Sequence, residues 1–130
     1  MNDGITDSIT DSPALVVVDG ESLRIGSGRT QRFVGRDHGA GISYFLVANA
    51  PGEGPGLHRH PYPETWVVLE GEALIRVGDE QLRVTGGETA SCAAGVWHAF
   101  TNCGTGRLRM LCVHASDEII QENFEESAAR

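Results

Sequence analysis

From residue 64 to residue 114, short apolar stretches are broken at brief intervals by glycine turns, at Glu70 and Gly71, at Gly78 and Asp79, and at Gly86 and Gly87. A helix of ordinary length does not fit between such breaks, whereas strands of roughly four to eight residues do. The spacing predicts strands over 64–69, 73–77, 81–84, 88–92, 99–102 and 107–114. Upstream, 42–49 reads as a further strand, with Tyr44, Leu46 and Ala48 on one face and Phe45 and Val47 on the other. Shorter strands are expected over 14–18, 23–25 and 31–34, and 17 glycines serve the turns between all of these. Regular short strands of this kind make an all-β sandwich or barrel.

Only 117–126 carries a helical spacing, with Ile119, Ile120 and Phe124 able to dock on the sheet. The 130 residues divide into a disordered acidic leader over 1–12, one β-barrel domain over 13–116, and a short C-terminal helix and tail over 117–130. The formal charge of -8 resides in the two ends: residues 1–12 carry -3, residues 115–130 carry -4, and residues 13–114 set ten acids against nine arginines. An acidic chain of this kind is not built for a nucleic acid backbone or an anionic membrane.

There is no lysine, so Schiff-base chemistry and a phosphate-binding P-loop are both excluded. A Gly-x-Ser-x-Gly elbow is also missing. Cys92, Cys103 and Cys112 are odd in number and form no C-x-x-C pair, which reads as reduced thiols serving as small buried fillers in a cytoplasmic protein.

The chemistry is concentrated in two stretches. His58 and His60 are two apart, so on an extended strand both imidazoles point to one face while Arg59 points away. Glu64 follows at an even offset, across Pro61 and Pro63, which stiffen the link. Two imidazoles and a carboxylate converging on one point suit a first-row divalent metal. His98 is the fourth candidate, returned to the cluster by a meandering barrel.

These residues resemble the cupin family. Gly52, His58, His60, Glu64 and Gly71 fit the pattern Gly-x5-His-x-His-x3-Glu-x6-Gly, and Gly87, Gly95, His98 and Asn102 fit Gly-x5-Pro-x-Gly-x2-His-x3-Asn, with Ala93 in place of the proline. The resemblance implies a cupin-type β-barrel, a double-stranded β-helix or jelly roll, whose mouth holds one divalent ion (iron, manganese, nickel, zinc or copper) on His58, His60, Glu64 and His98. It also implies a homodimer in which residues 14–18 cross to the partner.

A metal held by three imidazoles and one carboxylate keeps positions open for a small-molecule substrate. The expected chemistry is dioxygen insertion, isomerisation, or a lyase or cyclase reaction on a small polar organic molecule. A non-catalytic small-ligand or sugar-binding barrel is the alternative. Strand parity places Trp66 on the face of Glu64, Phe100 on that of His98, and Met110, Cys112 and His114 together on the last strand. With Tyr62 these are the candidates for the substrate pocket. Glu64 could serve as a base, and His114 as either a proton shuttle or a hydrogen-bonded structural histidine. Arg76, Arg83, Arg107 and Arg109 are expected to face outward; an arginine that bound substrate would come from Arg24, Arg29, Arg32 or Arg36.

Overall fold

The computed structural model describes residues 13–125. Ten strands form two antiparallel five-stranded sheets. They are β1 (Gln31–Phe33), β2 (Ser43–Asn49), β3 (His58–Arg59), β4 (Glu64–Glu70), β5 (Glu72–Val77), β6 (Glu80–Thr85), β7 (Thr89–Cys92), β8 (His98–Asn102), β9 (Leu108–His114) and β10 (Glu122–Asn123). One sheet has the order β1-β2-β9-β4-β7 and the other β10-β3-β8-β5-β6. The chain alternates between them, so consecutive strands often lie in opposite layers.

Side-chain alternation determines which face each strand buries. Trp66 and Val68 on β4, Leu108, Met110 and Cys112 on β9, and Ile75 and Phe100 on β5 and β8 form the core between the sheets. Each such side chain contributes about 1.5–3 kcal/mol when removed from water. The opposite parity carries Arg76 and Arg83 to the exposed surface, as the sequence predicts. At Gly71, φ is +93°, and a Cβ there would stand 2.5 Å from the Arg107 carbonyl oxygen. The tight β4–β5 turn therefore requires glycine.

Two strand expectations fail. Residues 14–18 form no strand; Leu15 and Val17 stay exposed, because a strand needs a hydrogen-bonded neighbour and no described residue pairs with this segment. The region 23–25 is likewise reduced to a 3-10 turn over Gly20–Leu23 and a single bridge from Arg24 to Gln31.

The C-terminal helix is absent from the described residues, and β10 stands in its place. Its backbone groups are taken by other segments: Arg36 N donates to the Asp117 carbonyl, Ile120 N to the Tyr62 hydroxyl, and Phe124 N to the Leu57 carbonyl. Glu122 and Asn123 then pair with Arg59 and His58. A helix would have needed those groups for its own i→i−4 bonds. The apolar spacing that suggested a helix instead lets Phe124 meet Trp97 edge-on, at 5.2 Å between ring centroids. The leader over 1–12 lies outside the described residues.

Candidate metal centre

The site is built where the two sheets face each other at one end of the barrel. His58 on β3 stands opposite His98 on β8 in one sheet, and Glu64 on β4 stands opposite His114 on β9 in the other. His60 sits in the Pro61–Tyr62–Pro63 link that carries the chain from one sheet to the other. All five side chains are buried. One ligand atom from each of His58, His60, Glu64 and His98 lies within 4.8 Å of all the others.

The backbone fixes the tautomers. His58 Nδ1 lies 2.7 Å from the Gly56 carbonyl, His60 Nδ1 2.8 Å from Ile120 O, and His98 Nδ1 2.9 Å from Val96 O. A carbonyl can only accept, so each Nδ1 carries a proton and each neutral ring presents a bare Nε2 lone pair. His60 Nε2 and His98 Nε2 both stand 3.1 Å from Glu64 Oε1. Acceptors thus face an acceptor, and buried His60 Nε2 has no hydrogen-bond partner.

A cation at the centre resolves that arrangement. Two adjacent ligands of an octahedral ion with bonds of about 2.1 Å stand about 3.0 Å apart, which matches these separations. The residues fit a divalent metal, with the three backbone carbonyls orienting the imidazoles from behind.

Glu64 is ionised. Burial works against its charge, but hydrogen bonding outweighs burial, led by the protonated Nε2 of His114, and holds the carboxyl well below the usual carboxylate range. Burial pushes His58 below the usual imidazole value, against the opposing bond to Gly56. His58 is therefore neutral, as ligation requires.

Beside the cluster opens a cavity of about 410 Å³. His58, Glu64 and His114 reach it from one side, Phe45, Val47, Phe100 and Cys112 form apolar wall, and Asn49, Glu53 and Gln121 bring polar groups to it. Of the pocket candidates read from the sequence, Phe100 and Cys112 line this cavity. Trp66 and Met110 belong to the core instead, both fully buried. Tyr62 is also off the wall; it stacks on His60, with centroids 5.1 Å apart.

Tyr62 serves a different purpose. Its hydroxyl accepts from Ile120 N at 3.1 Å and lies 2.6 Å from His114 Nδ1. His114 Nε2 faces the Glu64 Oε2 acceptor at 3.4 Å and therefore carries the ring proton, so the Tyr62 O–H donates to the bare Nδ1.

Parity alone did not identify Phe45 and Val47 as cavity wall, although it put them on one face. Asn49 ends β2 in the parity of Phe45 and Val47, whereas Glu53 and Gln121 left no sequence signal, because loop and tail positions depend on tertiary contacts. The arginines lie elsewhere. Arg24, Arg29, Arg107 and Arg109 surround a separate groove with Leu46 and Ala48, on the other face of β2. Arg36 pairs with Glu118 at 2.5 Å, and Arg83 pairs with Glu72. Arg59 lies 4.3 Å over the Trp97 ring and bonds Glu122 at 2.8 Å. The three cysteines are free thiols. Burial and the Glu64 charge push the thiols of Cys92 and Cys112 up, away from reactivity.

Comparison with known proteins agrees with this architecture. The cupin domain family matches residues 45–114, more than half of the chain. The protein belongs to the cupin family. Its fold is a double-stranded β-helix, similar to an uncharacterised conserved protein from Klebsiella pneumoniae (TM-score 0.67, 20% identity, covering 85% of this chain and 97% of that one). It is also similar to Bacillus subtilis oxalate decarboxylase, studied for its Mn(II) centres (TM-score 0.70, 18% identity, 82% of this chain and 32% of that one). In sequence it is 28% identical over 94 residues to mannose-1-phosphate guanylyltransferase 2 of Escherichia coli O157:H7. That match covers 72% of this chain and only 20% of the relative's length. Among the described residues, no helix is long and apolar enough to cross a membrane.

Proposed function

We propose that this cupin is a metal-dependent enzyme that holds one divalent transition-metal ion on His58, His60, Glu64 and His98 and acts on a small polar organic molecule in the adjoining cavity. The observation that carries this reading is the pair of 3.1 Å separations between imidazole Nε2 lone pairs and the Glu64 carboxylate, an arrangement that a bound cation satisfies. The Mn(II) centres of the structurally similar oxalate decarboxylase make manganese the first ion to test. The same donor set suits iron, nickel, zinc and copper.

When bound, the ion supplies a Lewis acid able to polarise a substrate oxygen, the basis for isomerase, lyase or dioxygenase-type chemistry. The chain's own residues do the rest. Phe45, Val47 and Phe100 exclude water from one side of the substrate. His114 Nε2 stands at the cavity with its proton, and the Tyr62 hydroxyl behind it donates to Nδ1 and holds the ring in that tautomer. His114 is the proton-transfer group, and Glu64 holds the metal while its second oxygen faces His114.

The test is to load metal-free protein with Mn(II) or Fe(II) and follow conversion of a panel of small hydroxy and keto acids. His114→Gln retains metal and loses turnover, whereas Glu64→Gln loses both. Turnover that survives metal removal contradicts the reading. A ligand bound and never converted points instead to a binding module, a reading favoured by the sequence match to an enzyme named for a sugar phosphate.

We infer also that the chain forms a homodimer in the cytoplasm. Exposed Leu15, Val16 and Val17, apolar and without a partner strand among the described residues, support the dimer, and the three free cysteines support a reducing compartment. Light scattering that gives a monomer contradicts the dimer.

A further inference from the structure

We infer that the cavity selects a ligand with a single acidic or metal-chelating end, an apolar body, and a distal hydrogen-bond donor such as an ammonium or hydroxyl group, and that it rejects dicarboxylates and phosphate esters. The inference rests on the metal reading above and concerns the opposite end of the ligand.

Charge placement is the first support. With no lysine in the chain, arginine is the only permanently cationic side chain available. None of the nine arginines among the described residues lines the cavity. Arg24, Arg29, Arg107 and Arg109 border the groove on the other face of β2, and Arg32 and Arg36 border another groove with Asp37 and Glu118. Arg59 and Arg83 are paired with Glu122 and Glu72, and Arg76 donates to the Gly78 carbonyl. A second anionic group on a ligand would enter the cavity without a countercharge.

The second support is what stands at the mouth. Glu53 is exposed there, in a loop fastened to β8 by Gly52 N donating to Asn102 O and Asn102 N donating to Glu53 O. Its Oε1 accepts from Ala50 N at 2.8 Å, which holds the side chain in place and leaves Oε2 available. Glu53 and Glu64 are the only carboxylates on the cavity wall among the described residues. A divalent ion with Glu64 would leave one positive charge, which the ligand's acidic head offsets, so the fixed charge left for its far end is the negative one at Glu53. It attracts a donor and repels a second carboxylate.

The experiment uses Co(II)-loaded protein, whose visible spectrum reports ligands entering the metal's coordination. Two probes share a 2-hydroxycarboxylate head: 2-hydroxy-4-aminobutanoate has an ammonium tail, and malate has a carboxylate tail. Wild-type protein is expected to bind the amine at least about tenfold more tightly. Glu53→Gln, which keeps the oxygen that accepts from Ala50 N, brings the two within about threefold. Malate binding as tightly as the amine, or a ratio unchanged in Glu53→Gln, overturns the inference while leaving the metal site standing. Protein that takes up no Co(II) refutes the metal reading itself.

Discussion

The Tyr62 hydroxyl lies 2.6 Å from His114 Nδ1, although the two residues are 52 positions apart and belong to different parts of the barrel. One comes from the link between the sheets and the other from the end of β9. Through His114 the contact reaches Glu64 Oε2, and through Ile120 N it reaches the C-terminal segment. The Ile120 backbone supports the cluster twice, since its carbonyl also holds His60 Nδ1.

Tyr62→Phe keeps the ring stacked on His60 and removes only the hydroxyl. It leaves His114 Nδ1 and Ile120 N without their partner, at a cost of about 1–3 kcal/mol. Metal affinity falls about tenfold, because Glu64 loses the support that reaches it through His114. Calorimetric metal titration and a melting curve on the same variant check both effects. Unchanged affinity would show that this chain of contacts does not hold the carboxylate.

Gly54→Ala tests the loop that brings Glu53 to the cavity. An ideal Cβ on Gly54 would lie 1.9 Å from the Phe100 carbonyl oxygen, a backbone atom that cannot rotate aside. The loop must lift from β8, at a cost of about 3 kcal/mol. Thermal melting should show a fall in Tm on the order of 10 °C. A variant with wild-type Tm would mean the loop does not lie against β8 as described.

Acid weakens the metal-free chain in a predictable direction. Burial pushes His58 below its ordinary value of 6.5. At Glu64 burial is outweighed by hydrogen bonding, His114 first, which holds the carboxyl below its ordinary 4.5. Both groups have lower pKa values folded than unfolded. As pH falls through 6.5, the unfolded chain takes a proton at His58 that the folded chain does not, and below 4.5 the same holds at Glu64. Their contribution is complete above 6.5 and is lost progressively with acid. Melting in excess chelator from about pH 8 to about pH 4 should show a declining Tm; a Tm that rises toward acid contradicts the assignment.

Much of this architecture is legible in the amino-acid order because alternation and glycine turns are local. The parity of Trp66 and Val68 with Glu64, and of Leu108, Met110 and Cys112 with His114, reappears as burial in the structure. The spacing of His58, His60, Glu64 and His98 brings their ligand atoms together as the two motifs imply. Parity does not distinguish a core position from a cavity wall, so Trp66 and Met110 read as pocket residues when they are core. The segment after residue 116 departs from its helical spacing for a different reason. Its apolar spacing is compatible with a helix, but Leu57, Tyr62 and His60 claim the backbone groups a helix would use. Residues 14–18 have β-forming side chains and no neighbour to pair with among the described residues, and a strand's hydrogen bonds depend on that neighbour.

The most direct test is the metal content of the untagged, purified protein, measured by elemental analysis beside His98→Ala. The account predicts about one divalent transition-metal ion per chain in the native protein, lost in a His98→Ala variant that keeps its β-sheet circular dichroism. A metal-free native protein that retains its fold, or metal content unchanged by His98→Ala, would contradict it.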